Sequence, residues 1–205
     1  MTRPTLARAA LVLIAVFPLI VTVLHLVQAG GYHPLSQAVS ELALGRAGWL
    51  MAIAFCSLGT GTLFLAAMLR RLDAPPRIAP YLIATSSLLS YVSAFVHADG
   101  PHGSTTHGQI HQAVGVVTFL LMISGMFALV RPFRRDRRFR SLATPTLVWA
   151  CAAVGGFLLI PISGAAYFGV AQRIFLAIIL SWALTVASRG LEQKAAAGEA
   201  SAAAA

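Results

Sequence analysis

The stretch HADGPHGSTTHGQIH, residues 97–111, is the part of the chain richest in side chains that could do chemistry. It holds four of the six histidines and one of the six acidic residues. His107 and His111 are four residues apart, so a helix that includes both would place their rings on one face. Two such rings could hold a divalent metal such as zinc, with Asp99 or Glu41 adding an oxygen ligand. The alternative is that these histidines cap a helix at the level of the lipid headgroups.

Arg173 also needs a chemical explanation, because it lies inside an apolar segment. If that segment begins near Ala166, Arg173 is about seven residues, or roughly 10 Å, into the membrane. An arginine there costs about 3 kcal/mol, so it usually has a partner or faces a cavity. Glu41 and Asp99 are the acidic residues on the same predicted side, and we expect one of them to pair with Arg173. The alternative is that the guanidinium extends to the outer headgroups.

Glu41 lies in the segment GGYHPLSQAVSELALGRAGW, which is longer than a simple connection between helices. After Pro34, the apolar residues Leu35, Val39 and Leu42 recur at helical spacing. This pattern predicts a short interfacial helix that lies over the bundle and lets Glu41 point into its mouth. The alternative is a solvated amphipathic turn.

The composition indicates what kind of protein must position these residues. The 205-residue chain is 58% hydrophobic and 10% charged, whereas a soluble domain carries about 25% charged residues. We therefore predict an all-α polytopic membrane helical bundle. It would form a single six-helix transmembrane domain over residues 1–190, with a disordered Ala-rich cytoplasmic tail over 191–205. Six apolar stretches are long enough to cross a bilayer: residues 7–29, 47–69, 78–98, 109–130, 143–162 and 166–188.

The basic residues predict how this bundle is oriented. The net charge of +9 comes from short clusters between the apolar stretches, a pattern typical of topology signals and not of a nucleic-acid surface. Of the 15 Lys and Arg residues, all but Arg46 and Arg173 fall on one side of the predicted spans. That side is expected to be cytoplasmic, with both termini. Cleavage of the first span as a signal peptide after VQA is the alternative, and it would leave five spans.

This orientation places every histidine, together with Glu41 and Asp99, at or near the outer face. The other acidic residues fall on the cytoplasmic side and carry no site prediction: Asp73, Asp136, Glu192 and Glu199.

Other residues inside the apolar stretches indicate packing. Gly115, Gly125 and Gly155 would let neighbouring helices approach closely. Cys56 and Cys151 each lie in an apolar run without CxxC spacing, so we predict neither a structural disulfide nor a redox or metal motif at these positions.

The order of these motifs resembles a known bacterial family, the domain of unknown function 998. The carriers of the resemblance are HPLSQAVSELALGRAGWLM after the first span, an Asp that ends the third, HGQIH that opens the fourth and a Gln-Arg pair in the last. The resemblance covers residues 8–188 and implies a small six-span protein of the bacterial inner membrane. It implies no reaction, and His33, His97 and His102 fall outside its pattern. It points to Ser36, Ser40, Glu41, Gly45, Asp99, His107, Gly108, His111, Gln172 and Arg173.

Three classes of function fit these residues. In a lipid-active enzyme, Glu41, Asp99 and His111 would act as acid/base groups, and Arg173 would clamp an anionic headgroup. Its substrate would be a lipid or prenyl compound that enters from the bilayer. Alternatively, the same polar groups would form a network in a non-catalytic lipid-binding or scaffold protein. A small-solute transporter is the third class, disfavoured because no span carries a charge at its centre. A cavity that joins the four residues would distinguish a site from a scaffold.

Overall fold

The computed structural model describes residues 1–73, 75–100 and 104–191, and this part of the chain is helical and contains no strand. Two short 3₁₀ helices accompany the α-helices, Val39–Leu44, called the loop helix below, and Arg140–Leu142. The all-α fold class is therefore confirmed. His102 and the predicted tail from residue 192 onward lie outside the described residues. The α-helices are α1 (Arg3–Val27), α2 (Trp49–Leu69), α3 (Ala79–Phe95), α4 (Thr106–Arg135), α5 (Ala143–Ile162) and α6 (Gly164–Leu191).

Five of these helices, all except α3, are long and apolar enough to cross a membrane. At 17 residues, α3 is about 25 Å long, whereas the hydrocarbon core of a bilayer is about 30 Å thick. The predicted span 78–98 is longer than the helix because Val96 leaves the helical conformation, with φ −102° and ψ 103°. The turn is stabilised by the Val96 carbonyl, which accepts a hydrogen bond from His111 Nδ1 at 2.6 Å.

Each helix packs against the next one along the chain, and α6 returns to pack against α1. At the end where α1 begins, Arg3 pairs with Asp73 at 3.2 Å, and Arg189 Nε donates to the Arg138 carbonyl at 3.0 Å. We call this the arginine end. The opposite end, where α1 stops at Val27 and α4 begins at Thr106, is called the histidine end.

The interior is filled unevenly along the length of the bundle. The large core lies toward the arginine end, where Phe133, Phe175 and Trp182 are completely buried. At the histidine end a smaller cluster joins α1, α2 and the first loop. The buried residues of α4 begin only at Met122, and its N-terminal half contributes only the partly buried Phe119 to the large core and nothing to the smaller cluster. That half of α4 therefore borders unfilled space.

Asp136 is a buried acid, although its position among predicted cytoplasmic basic residues indicated no special role. Its side chain is 0% exposed. Oδ1 accepts hydrogen bonds from the backbone N–H groups of Arg138 at 2.9 Å and Phe139 at 3.3 Å. Oδ2 accepts one from the N–H of Asp73 at 2.9 Å. Asp136 therefore joins the end of α4 to the loop that follows α2, which rigidifies the arginine end.

The connection between α5 and α6 determines where the last helix begins. Only Ser163 separates Ile162 from Gly164, so the chain reverses within about one residue. Gly164 has φ +64°, a left-handed conformation that glycine adopts readily. The last helix starts two residues earlier than the predicted position 166, and it brings Gln172 and Arg173 beneath the first loop.

The two cysteines, Cys56 and Cys151, are both free thiols, as predicted.

Candidate functional site

A cavity of about 600 Å³ lies at the histidine end, and we call it the histidine-end cavity. Glu41, Asp99 and His111 line it, so three of the four predicted site residues share one space although they come from distant parts of the chain. Arg173 does not line the cavity, but its neighbour Gln172 does. Five phenylalanines contribute to the apolar walls: Phe17, Phe55, Phe119, Phe157 and Phe168. A polar mouth above an apolar interior is typical of a site for a small amphipathic molecule.

Gly115 shows why this cavity is open. A Cβ atom placed there would meet no other atom within 4 Å, whereas one at Gly125 would lie 2.8 Å from Ile83 Cγ1. Gly125 therefore permits close packing of α4 on α3, as predicted, but Gly115 faces the cavity. Gly155 on α5 also meets nothing within 4 Å and does not line the cavity. The packing prediction is wrong for Gly115, because it borders the cavity, and for Gly155, because it lies on the exposed surface of α5.

Glu41 is held within the first loop by two hydrogen bonds. Its Oε1 accepts the N–H of Ala38 at 2.8 Å, and its Oε2 accepts Gln37 Nε2 at 3.0 Å. The carboxylate thereby caps the loop helix, which is shorter than the interfacial helix predicted from Pro34 onward. The loop is also tied to α6, because Val39 N donates to Gln172 Oε1 at 2.8 Å and Val170 N donates to the Leu35 carbonyl at 3.1 Å.

Arg173 forms no ion pair within the described residues, so its predicted pairing with Glu41 or Asp99 is wrong. Its Nη1 instead donates to the carbonyls of Pro34, Gln37 and Gly169 at 2.8, 2.9 and 2.8 Å. The first loop folds across α6 with its carbonyl groups toward the guanidinium, and these acceptors replace a carboxylate. We call Arg173 and its partners His25, Tyr32, Pro34 and Gln37 the Arg173 cluster.

His25 and Tyr32 complete the Arg173 cluster and were not predicted as site residues. Arg173 Nη2 donates to His25 Nε2 at 3.0 Å and to the Tyr32 hydroxyl. Because arginine stays protonated, His25 Nε2 must be the acceptor, and Nδ1 carries the proton and donates to the Val21 carbonyl at 2.7 Å. In the sequence, His25 was marked only by its predicted position near the outer face of the membrane.

Tyr32 lies beside the guanidinium, which is 5.5 Å from the centre of its ring. Burial raises the pKa of Tyr32, although the positive charge of Arg173 opposes the shift. The hydroxyl therefore stays protonated, and it donates to the Ala38 carbonyl at 2.8 Å.

Asp99 closes the turn between α3 and α4. Its Oδ2 accepts the N–H of Thr105 at 2.6 Å, and its Oδ1 accepts the Thr105 hydroxyl at 2.7 Å. These bonds hold the pKa of Asp99 below its usual value of 3.8. Thr105 in turn caps α4 through Gly108 N at 3.2 Å. A Cβ at Gly108 would overlap the Asp99 carboxylate, which explains the glycine in HGQIH.

His111 is half-buried in the wall of the cavity, with its ring edge toward Phe55. Its Nδ1 faces the Val96 carbonyl, which can only accept, so in the neutral ring Nε2 is an unprotonated acceptor. Nε2 has no hydrogen-bond partner among the described residues. His111 is therefore the predicted site residue with an unused basic atom in the cavity.

The predicted metal site rests on His107 and His111. His107 is exposed, as are His33 and His97. Over residues 1–73, 75–100 and 104–191, no three His, Cys, Asp or Glu side chains come close enough to hold a metal ion together. Both Asp99 oxygens and both Glu41 oxygens are already hydrogen-bonded within their own turns. The zinc site therefore stays a prediction from the spacing of the two histidines.

Comparison with known proteins identifies a family for nearly the whole chain. A family model described as "Protein of unknown function (DUF998)" matches residues 8–189. Comparisons with curated proteins and with solved structures gave no significant match. The family match confirms the resemblance of the sequence motifs, and the function has to be argued from the geometry of the site.

Proposed function

The chain belongs to the DUF998 family, and from the geometry of its site we propose that it is a membrane protein that binds a lipid or prenyl amphiphile in the histidine-end cavity. One observation carries the proposal: aromatic walls and a polar mouth line the same 600 Å³ space. Pockets of roughly 300–1,000 Å³ with apolar walls and few polar groups are typical of small-molecule sites. A scaffold held together by a polar network would need no such space.

We further propose that all six helices span the bilayer. The basic residues gather at the arginine end, which favours a cytoplasmic location for that end, with both termini. Thr105 and Asp99 form a polar turn after α3 that suits a membrane surface. Local bilayer thinning can accommodate a short helix such as α3. The histidine-end cavity would then face the outer leaflet of the bacterial inner membrane.

Access to the cavity is favoured between α4 and α5. Val116 and Leu158 both line it and are 41% and 53% exposed. Side chains that face both a cavity and the surroundings lie at an opening, and here the surroundings would be lipid tails. Toward the arginine end the interior is filled by Phe175 and Trp182, both completely buried. This packing favours a binding site over a path for a transported solute.

A lipid-active enzyme is the second candidate, favoured by the unused Nε2 of His111 in the same cavity as Glu41. A histidine with one nitrogen held by a backbone carbonyl can take up or deliver a proton at the other. Asp99 would act by positioning α4 in this candidate, because both of its oxygens bind Thr105.

Filling the cavity tests the binding proposal. Gly115→Leu places a side chain in the cavity, and Gly155→Leu is the matched control, because both glycines are helical and meet nothing within 4 Å. Each protein is purified in a non-ionic detergent, and the co-purifying amphiphiles are measured by mass spectrometry. We expect a specific amphiphile to fall about tenfold, equivalent to about 1.4 kcal/mol of binding, in Gly115→Leu but not in Gly155→Leu. Equal loss or equal retention in the two variants would overturn the proposal.

A further inference from the structure

The polar lining of the cavity points to the chemical class of the head group, an inference that rests on the proposed function. We infer that the bound amphiphile has an uncharged or cationic head group that carries hydroxyl or amine groups, and not a phosphate or carboxylate.

The charges around the cavity are the first argument. Among the described residues that line it, Glu41 and Asp99 are acidic, and none is Lys or Arg. The hydrogen bonds from Thr105 keep Asp99 ionised at neutral pH. The Glu41 carboxylate is half-buried, so its repulsion of an anionic head group would be screened less than in water, whereas Asp99 at the exposed rim contributes less.

Arg173 is the residue that could have attracted an anion, but its hydrogen bonds are already formed elsewhere. Both terminal nitrogens of its guanidinium bind acceptors of the Arg173 cluster and its own helix. To hold a phosphate, the guanidinium would have to give up its hydrogen bonds to the Pro34, Gln37 and Gly169 carbonyls, and hydrogen bonds from a charged donor contribute about 1.5–3 kcal/mol each. The anion clamp predicted at this position is therefore not part of the cavity.

Unpartnered hydroxyl groups are the second and independent argument. Ser40 and Ser93 both line the cavity and are each only 8% exposed. Within the described residues neither hydroxyl has a hydrogen-bond partner and neither oxygen is fully enclosed by protein, so both are open to the cavity. Serines packed between helices elsewhere, such as Ser57 and Ser87, do donate hydrogen bonds, to Leu13 and Thr62 at 2.8 and 2.7 Å. Ser86 is an exception, since its buried hydroxyl also lacks a partner.

Other polar atoms at the cavity also have donors or acceptors free for a ligand. Gln172 uses its Oε1 for Val39 N, so its NH₂ group is left as a donor at the cavity. His111 Nε2 is an acceptor, and each carboxylate oxygen of Glu41 has a lone pair beyond its present bond. A hydroxyl group both donates and accepts, and an ammonium group donates to carboxylates. Either head group matches this mixture of donors and acceptors.

The test compares dodecanol, dodecylamine and dodecyl phosphate, which share one chain and differ in head group. Purified wild-type protein, Gly115→Leu and Gly155→Leu are mixed with each probe in a neutral detergent at neutral pH, and the shift in Tm is measured. We expect dodecanol, dodecylamine or both to raise Tm in the wild type and Gly155→Leu but not in Gly115→Leu. Dodecyl phosphate should leave Tm unchanged in all three.

Ser93→Ala sharpens the test, because its hydroxyl has no hydrogen-bond partner among the described residues and its loss should not disturb folding. We expect dodecanol to bind this variant about tenfold more weakly, a loss typical of one unmade hydrogen bond. Stronger binding of dodecyl phosphate, lost in Gly115→Leu, would overturn the head-group inference and leave the binding proposal intact. If no probe raises Tm in the wild type, or if every probe raises it equally in Gly115→Leu, both the head-group inference and the binding proposal are wrong.

Discussion

The Arg173 cluster and the histidine-end cavity lie side by side at the same end of the bundle, but their polar groups are in opposite states. Arg173 has five hydrogen bonds to protein acceptors, and His25 uses both ring nitrogens. Around the cavity, His111 Nε2 and the hydroxyls of Ser40 and Ser93 have no partner among the described residues. The first region is a completed structural network, whereas the second has unfilled hydrogen-bonding capacity and space. A charged residue within a membrane helix is therefore not enough to identify a binding site.

The largest expected effect comes from breaking the Arg173 cluster. Arg173→Met removes the guanidinium donor of the Pro34 carbonyl and one of the two donors of the Gln37 carbonyl. We expect the free energy of unfolding to fall by about 3 kcal/mol, because each hydrogen bond from a charged group contributes about 1.5–3 kcal/mol; denaturant titration in detergent measures this loss. Arg173→Lys keeps the charge but cannot reach all acceptors with a planar fork, so its loss should be intermediate. An Arg173→Met protein as stable as the wild type would contradict a structural role.

A change at His111 should affect binding more than folding. In His111→Asn the amide NH₂ can replace the Nδ1–H that donates to Val96, while the Nε2 atom at the cavity is lost. We expect stability within about 1 kcal/mol of the wild type and about tenfold weaker binding of the cavity amphiphile. Equal losses of stability and binding would show that His111 is structural, like Arg173.

A second variant, His111→Ala, distinguishes the amphiphile site from the predicted metal site. Among residues 1–73, 75–100 and 104–191, no third His, Cys, Asp or Glu side chain joins His107 and His111, so we expect no stoichiometric zinc that depends on His111. Metal analysis of the wild type beside His111→Ala measures this directly. Stoichiometric zinc that disappears in the variant would establish the metal site predicted from the sequence.

The smallest effect is expected at Asp99, at the rim of the cavity. Its pKa lies below the usual 3.8 because Thr105 donates to both oxygens. The carboxylate therefore stabilises the turn above pH 3.8, and this contribution is lost as the pH falls through the lowered pKa. The protection of Thr105 N–H against hydrogen exchange, taken relative to the intrinsic exchange rate at each pH, should fall in the wild type as the pH falls through this pKa. In Asp99→Asn the protection should already be lower at neutral pH and should not change over this pH range.

Much of the fold could be predicted from the sequence, because helix location depends on local hydrophobicity. The all-α class and the family resemblance are confirmed, and each of the six predicted stretches contains a helix. The length of α3 could not be predicted, since Phe95 and Val96 are as apolar as the residues before them. The helix ends there because of hydrogen bonds to residues that come later in the chain.

The sequence by itself determined which residue types gather at each end of the bundle: short basic clusters at one end, and histidines with Glu41, Asp99 and Arg173 at the other. Only the tertiary structure decided which of them meet. Arg173 joins His25, 148 residues earlier, and turns away from the cavity that Glu41, Asp99 and His111 share. The physical reason is that hydrophobic periodicity is local, whereas the partner of a polar side chain depends on how distant loops and helices fold over it.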